Sequence, residues 1–311
     1  MTIENKYNDQ IAPERFKIVG ARPNDADSLN KKQISFWQEV MYRFSHNKLA
    51  IIGLIILAFI TIMGIFAPMF SSWTYEENTG LYNTAPSAAH WFGTDDLARD
   101  LFVRVWIGAR ISLFIGLAAA VIDLIIGVLW GSISGLLGGR VDNIMMRIAD
   151  VLTAIPYLLV VIILLVVMEK GLIPMIIALS FTGWVNMARI VRAEVLSIKS
   201  REFVLASRTL GAGTWHLIKR HLIPNAMGAI LVTMTLTIPA AIFTESFLSY
   251  IGLGVQQPLA SWGTMASEGN KAIQSAPWRL MFPALFISLT IFAFNAVGDG
   301  LRDALDPKLR K

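Results

Sequence analysis

Residues 49–70 run for 22 positions without a charge. At about 1.5 Å per residue a helix of that length reaches roughly 33 Å, enough to cross the hydrocarbon of a bilayer. A backbone in hydrocarbon must satisfy its hydrogen bonds internally, which commits such a stretch to helix. Five further apolar stretches follow at 111–137, 145–168, 172–196, 227–253 and 280–301. An all-α, polytopic fold of six transmembrane helices is therefore expected. Composition agrees, since 55% hydrophobic against 16% charged residues is too apolar for a soluble domain of this length. Gly108, Gly116, Gly127, Gly131 and Gly135 recur along the second span, where small residues let neighbouring helices approach.

Charge sets the expected orientation. Of the 27 lysines and arginines, 21 fall before span one, between spans two and three, from Arg189 to Arg220, or from Arg302 onward. Six remain for the other side, namely Arg99, Arg104, Arg110, Lys170, Lys271 and Arg279. Positive residues are retained in the cytoplasm, so both termini are expected inside. Residues 1–46 then form a cytoplasmic segment, loosely ordered up to Lys32 and without the short apolar core of a cleavable signal peptide. From Phe36, Trp37, Val40, Met41 and Phe44 share one helical face, which predicts an interfacial amphipathic helix; the other reading extends span one backwards. Residues 47–311 form the permease-like domain, with external loops at 71–110 and 254–279 and a cytoplasmic loop at 197–226.

Several chemistries lack their residues. There is no GxxxxGK[ST] loop for phosphates, no third glycine after Gly211 and Gly213, no nucleophile elbow and no HExxH helix. His216 and His221 are five apart, off a common helical face. The cysteine count of zero removes thiolate metal sites and cysteine nucleophiles. No nucleic-acid motif accompanies the net charge of +5, which suits loops beside anionic lipid. The chain is expected to have no catalytic residue and no cofactor of its own.

The polar stretch 202–225, EFVLASRTLGAGTWHLIKRHLIPN, stands between two apolar runs. It reads as two short helices. Ser200 can cap the first, Glu202 lies in its first turn, and Gly211 with Gly213 stops it. Thr214 can cap the second, on which Trp215, Ile218 and Leu222 make an apolar stripe, and Pro224 ends it. By itself this is an amphipathic loop on a membrane surface. Glu202, Ala206, Gly211, Leu222 and Pro224, however, match the EAA, glycine and leucine-proline pattern, and the loop resembles the coupling loop of ABC importer permease subunits. Val204, Leu205 and Ser207 depart from that pattern around Ala206. The resemblance implies a type I ABC importer-like fold in a bacterial cell membrane, and a loop that docks into an ATPase.

The resemblance narrows elsewhere. Gly93, Thr94 and Asp95, then Arg99 and Asp100, then GARISL from Gly108, are similar to the C-type permease subunits of oligopeptide, dipeptide and nickel importers, as are GDGLRD from Gly298 and the later Asp306-Pro307. These motifs touch most of residues 85–311. They imply a second homologous permease, two ATPase subunits that bind the ATP and magnesium, and an extracellular peptide-binding protein, with oligopeptides favoured over nickel because the spans lack a His and Met cluster. His90, Asp95, Asp96 and Asp100 could be read as a metal site, but in a wet loop such groups serve as caps and turn formers; no metal is expected.

Two acids lie within spans, Asp123 in span two and Glu245 in span five. Ionisable groups there are costly, so each is either a functional group or a structural hydrogen bond between helices. Glu245, with Thr237 and Thr244 on its hydroxyl-rich helix, is the expected border of a transport path. An ion-coupled secondary transporter using Asp123 and Glu245 is the alternative, along with a nickel or dipeptide permease of the same family.

Overall fold

The computed structural model describes residues 35–306. Residues 1–34, including the stretch expected to be loosely ordered up to Lys32, and residues 307–311, with Pro307 of the C-terminal motif, lie outside the described residues. The described chain is helical, in the order α1 (Phe36–His46), α2 (Lys48–Phe70), α3 (Leu101–Leu137), α4 (Gly139–Ala154), α5 (Tyr157–Val167), α6 (Leu172–Ile198), α7 (Glu202–Thr209), α8 (Thr214–Tyr250), α9 (Trp262–Lys271) and α10 (Trp278–Leu305). Five of these, α2, α3, α6, α8 and α10, are long and apolar enough to cross a membrane.

The stretch expected as the third span is not a single rod. The expected span at 145–168 is α4 followed by α5, bent by 80°. Pro156 is the cause: it has no N–H to donate and disfavours helix in the residue before it. Ile155 is accordingly extended, with φ −90° and ψ 134°. At about 1.5 Å per residue α5 alone reaches only about 16 Å, so the count is five spans, or six when the bent pair is taken as one.

Helix α3 also begins ten residues before the expected span. Asp100 caps it, its Oδ1 accepting from the Val103 N–H at 3.0 Å. VRVWIGAR, expected in the external loop, is therefore helical, and Arg104 is buried in it with its guanidinium 4.8 Å from the centre of the Tyr75 ring. Helix α1 is separate from α2, because Asn47 caps α2 by accepting from Ala50 N–H at 3.2 Å. Val40 packs on Ala304 and Leu305, while Met41 on the expected apolar face stays exposed.

Packing follows the rule for helices in lipid, with small residues inward and large ones outward. On α2 the buried positions include Gly53, Gly64 and Ala67, while Ile55, Phe59 and Ile62 are more than half exposed. Helix α3 packs most extensively on α6. The glycine series makes this possible: a Cβ at Gly127 would stand 2.6 Å from Met187 Cβ, and one at Gly135 would stand 2.8 Å from Val195 Cγ1. Helix α8 lies against α3 and α10, and α9 packs between α8 and α10. Around α9, Trp262 is buried against Trp106 and Phe286, with its Nε1–H donating to Val105 O at 2.9 Å.

Candidate functional site

The loop joining α6 to α8 was expected to hold two short helices, and its residues are positioned as follows. Helix α7 spans Glu202–Thr209 and is anchored by Val204, which is buried among Val195, Ile198, Leu217, Ile218 and Leu222. Its other faces are open: Glu202 and Ala206 are exposed, with Phe203, Leu205 and, most of all, Leu210 at 88%. Ser200 does not cap this helix. The N-cap is Arg201, with no side-chain hydrogen bond, because the chain makes a turn at Lys199 and Ser200 before the helix begins.

Gly211 does stop α7. Its φ is +90°, and the Gly211 N–H bonds the Arg208 carbonyl at 3.0 Å while Ala212 N–H bonds that of Ser207 at 3.1 Å. That pair of bonds is a Schellman closure, which requires a left-handed residue at this point. Gly213 has no such role, since its φ of −72° and ψ of 163° suit any residue. It occupies the N-cap position itself, so Thr214 is the first helical residue and not the cap.

The second short helix does not end at Pro224. It runs on as α8, a continuous helix of 37 residues from Thr214 to Tyr250. The reason is a π turn at Ile218–Leu222, where Ile223 N–H bonds the carbonyl of Ile218, five residues back. The wider turn shifts the bonding register just before a proline that has no N–H to offer. The apolar stripe also differs from expectation. Leu217, Ile218 and Leu222 are buried, whereas Trp215 is 51% exposed with Lys219 Nζ 4.9 Å from its ring centre. His221 ties the two helices, its Nε2 lying 3.1 Å from Ser207 Oγ.

Within the bundle, a cavity of about 290 Å³ opens between α3, α5, α6 and α8. Asp123, Tyr157, Gly183, Asn186, Thr233 and Thr237 line it. Thr237 was expected at a path; Tyr157, Asn186 and Gly183 were not, although an asparagine inside an apolar span was a visible signal. Asp123 is 4% exposed and rests against Gly183, where a Cβ would collide with its carboxylate. Its Oδ1 has no hydrogen-bond partner.

Glu245 lies elsewhere on α8, fully buried. Its Oε1 accepts from Ser249 at 2.8 Å, and its Oε2 from Ser112 at 3.1 Å and Ser246 at 3.3 Å. Ser261, the N-cap of α9, donates to Ser249 Oγ at 3.3 Å. Thr244 is half-buried and donates to the Ala240 carbonyl of its own helix at 2.9 Å.

The four residues weighed as metal ligands go to separate partners. His90 Nδ1 is 2.8 Å from Asp100, Asp95 pairs with Arg99 at 2.7 Å, and Asp96 pairs with Arg279 at 2.9 Å. Beside them, burial pushes the Tyr75 hydroxyl above its ordinary range, opposed by the nearby Arg104.

A family described as the inner membrane component of binding-protein-dependent transport systems matches residues 127–311. A second, the N-terminal TM domain of oligopeptide transport permease C, matches residues 35–87 and extends the likeness into the first 80 residues, where no motif had been visible. The oligopeptide transport system permease protein OppC of Bacillus subtilis is 63% identical over 97% of this chain and 99% of its own length. The dipeptide transport system permease protein DppC of the same organism is 54% identical, over 98% and 96%. The oligopeptide transport system permease protein OppC of Escherichia coli is 43% identical, over 92% and 96%.

Proposed function

The chain belongs to the family of inner-membrane components of binding-protein-dependent transport systems, and from that premise we propose that it is a permease subunit of an ATP-driven importer for oligopeptides. It is a non-catalytic, multi-pass protein of a bacterial inner membrane. Peptide is preferred to nickel because relatives at 63% and 54% identity are named for oligopeptides and dipeptides. Membership in this family also displaces the ion-coupled reading.

The observation that carries the coupling role is α7. A short helix that buries Val204 and leaves Phe203, Leu205 and Leu210 exposed is incomplete by itself, and a cleft in a cytoplasmic ATPase would cover it. In this reading Glu202 and Ala206 face the ATPase, Gly211 sets the turn, Leu222 fastens the turn to the bundle, and Pro224 lies at the π turn. The termini and this loop face the cytoplasm, residues 71–110 and 254–279 face outward, and the rest of the transporter is a second homologous permease, two ATPase subunits and an external peptide-binding protein.

The geometry suggests how motion would travel. Helix α8 is about 55 Å of continuous rod, with Trp215 at the loop and Thr233 and Thr237 at the cavity. Closure of the ATPase dimer on nucleotide would push α7, and the rod would carry that displacement to the cavity wall. Of the span-five residues expected at the path, we retain Thr237 and assign Glu245 and Thr244 to helix packing. Ala206→Trp should block docking sterically: insertion into the membrane stays normal, while ATPase association and peptide uptake are lost. Gly211→Val should act similarly, since a β-branched residue is strongly disfavoured at positive φ. Uptake by the unmutated transporter that survives ATP depletion and collapses with an uncoupler would overturn the proposal.

A further inference from the structure

The cavity beside Asp123 has an unusual hydrogen-bonding character. Thr233 Oγ1 donates to the Ala229 carbonyl at 2.7 Å, Thr237 Oγ1 to that of Thr233 at 2.9 Å, and Tyr157 Oη to that of Leu179 at 3.2 Å. Each hydroxyl proton is thus committed to a backbone carbonyl, and what each oxygen has left to offer is lone pairs. Asp123 adds a carboxylate whose Oδ1 is unpartnered, and among the described residues no lysine, arginine or histidine forms an ion pair with it. Charged groups inside a membrane are normally paired, so a lone carboxyl on a cavity wall either holds a proton or receives a cation from outside the chain.

We propose that Asp123 with the hydroxyls of Thr233, Thr237 and Tyr157 is a binding site for a primary ammonium group. If the peptide-importer reading above holds, the ligand is the α-amino terminus of the peptide in transit. An ammonium has three donors and no acceptor, the complement of the hydroxyl and carboxylate oxygens on this wall; the Asn186 amide beside them can turn its own oxygen to the same ligand. It is also the one positive group that peptides share whatever their side chains, so a path that grips it can be tolerant of sequence. The cavity, of about 290 Å³, has room for an amino-terminal residue.

The test uses the complete transporter in proteoliposomes with trialanine and N-acetyl-trialanine. Uptake is compared between wild type and Asp123→Asn for each peptide, so that any preference of the binding protein cancels. Trialanine uptake should fall about tenfold or more, the range seen for close desolvated charge pairs, while acetylated peptide changes by less than about twofold. An equal fall for both peptides, or none for either, overturns the site. Because the chain has no cysteine, Thr237→Cys gives a second readout with Asp123 intact, whether or not the asparagine variant assembles. Trialanine should slow thiol labelling of this chain, and the acetylated peptide should not; equal rates overturn the site. Should wild-type transporter move neither peptide with ATP, the importer reading fails by itself. The ammonium site then stands if methylammonium slows the labelling where sodium does not, and falls if the two act alike.

Discussion

Glu245 and Asp123 are both acids buried within membrane-spanning helices, and their surroundings are opposite. Glu245 receives hydrogen bonds from Ser112 on α3 and from Ser246 and Ser249 on α8, with Ser261 of α9 joined to the network. The carboxyl thereby ties three helices at one place. Asp123 has no hydrogen bond at Oδ1 and faces a cavity. A buried polar group that is fully satisfied holds structure together, whereas one left unsatisfied destabilises the resting state and is available to a ligand. Burial of an acid in a span therefore does not by itself mark a transport residue; the state of its hydrogen bonds separates the two cases.

That contrast can be broken by measuring the thermal unfolding of the detergent-purified complex. The largest effect is expected for Glu245→Ala, which leaves the hydroxyls of Ser112, Ser246 and Ser249 without their acceptor and opens a void. A loss of about 3 to 5 kcal/mol is expected, large enough to reduce assembly. Stability close to that of the wild type would remove Glu245 from the structural role given to it here.

A smaller effect, about 1 kcal/mol, is expected for Ser249→Ala, because Ser112 and Ser246 still donate to the carboxyl. If this change cost as much as Glu245→Ala, the network would depend on one bond and would not be shared among several. No loss at all is expected for Asp123→Asn, which removes the charge from a buried carboxylate with no partner at Oδ1 and so leaves stability equal to or above that of wild type. A loss of the size expected at Glu245 would show that Asp123 is a packing group and erase the difference between the two sites.

Much of the bundle was legible in the residues. Apolar runs of sufficient length mark helices α2, α6, α8 and α10 to within a few residues at most of their ends, apart from the loop end of α8, and the glycines of α3 mark its close approach to α6. Gly211 stops α7 as its residue type implies. The failures share a cause. Arg104 and Arg110 read as loop residues because they are charged, yet α3 starts before them: Asp100 caps the helix, and the buried guanidinium of Arg104 rests over Tyr75. Pro224 reads as a stop, yet a π turn lets the helix continue through it. In both cases the residue's usual preference was overridden by bonds and contacts that a pattern of residue types does not display.

The chain's own sequence determined its helical class, the membrane as its solvent, the glycine seam and the polar loop with its left-handed turn, because each depends on residues within a few turns of one another. Only the tertiary structure decided which of two similar acids is satisfied. Glu245 meets Ser112 across 133 positions of chain, and Asp123 shares its cavity with α5, α6 and α8 without receiving a bond at Oδ1 from them. Hydrogen-bond partners at such separations are set by how the helices pack, and composition, spacing and periodicity carry no record of them.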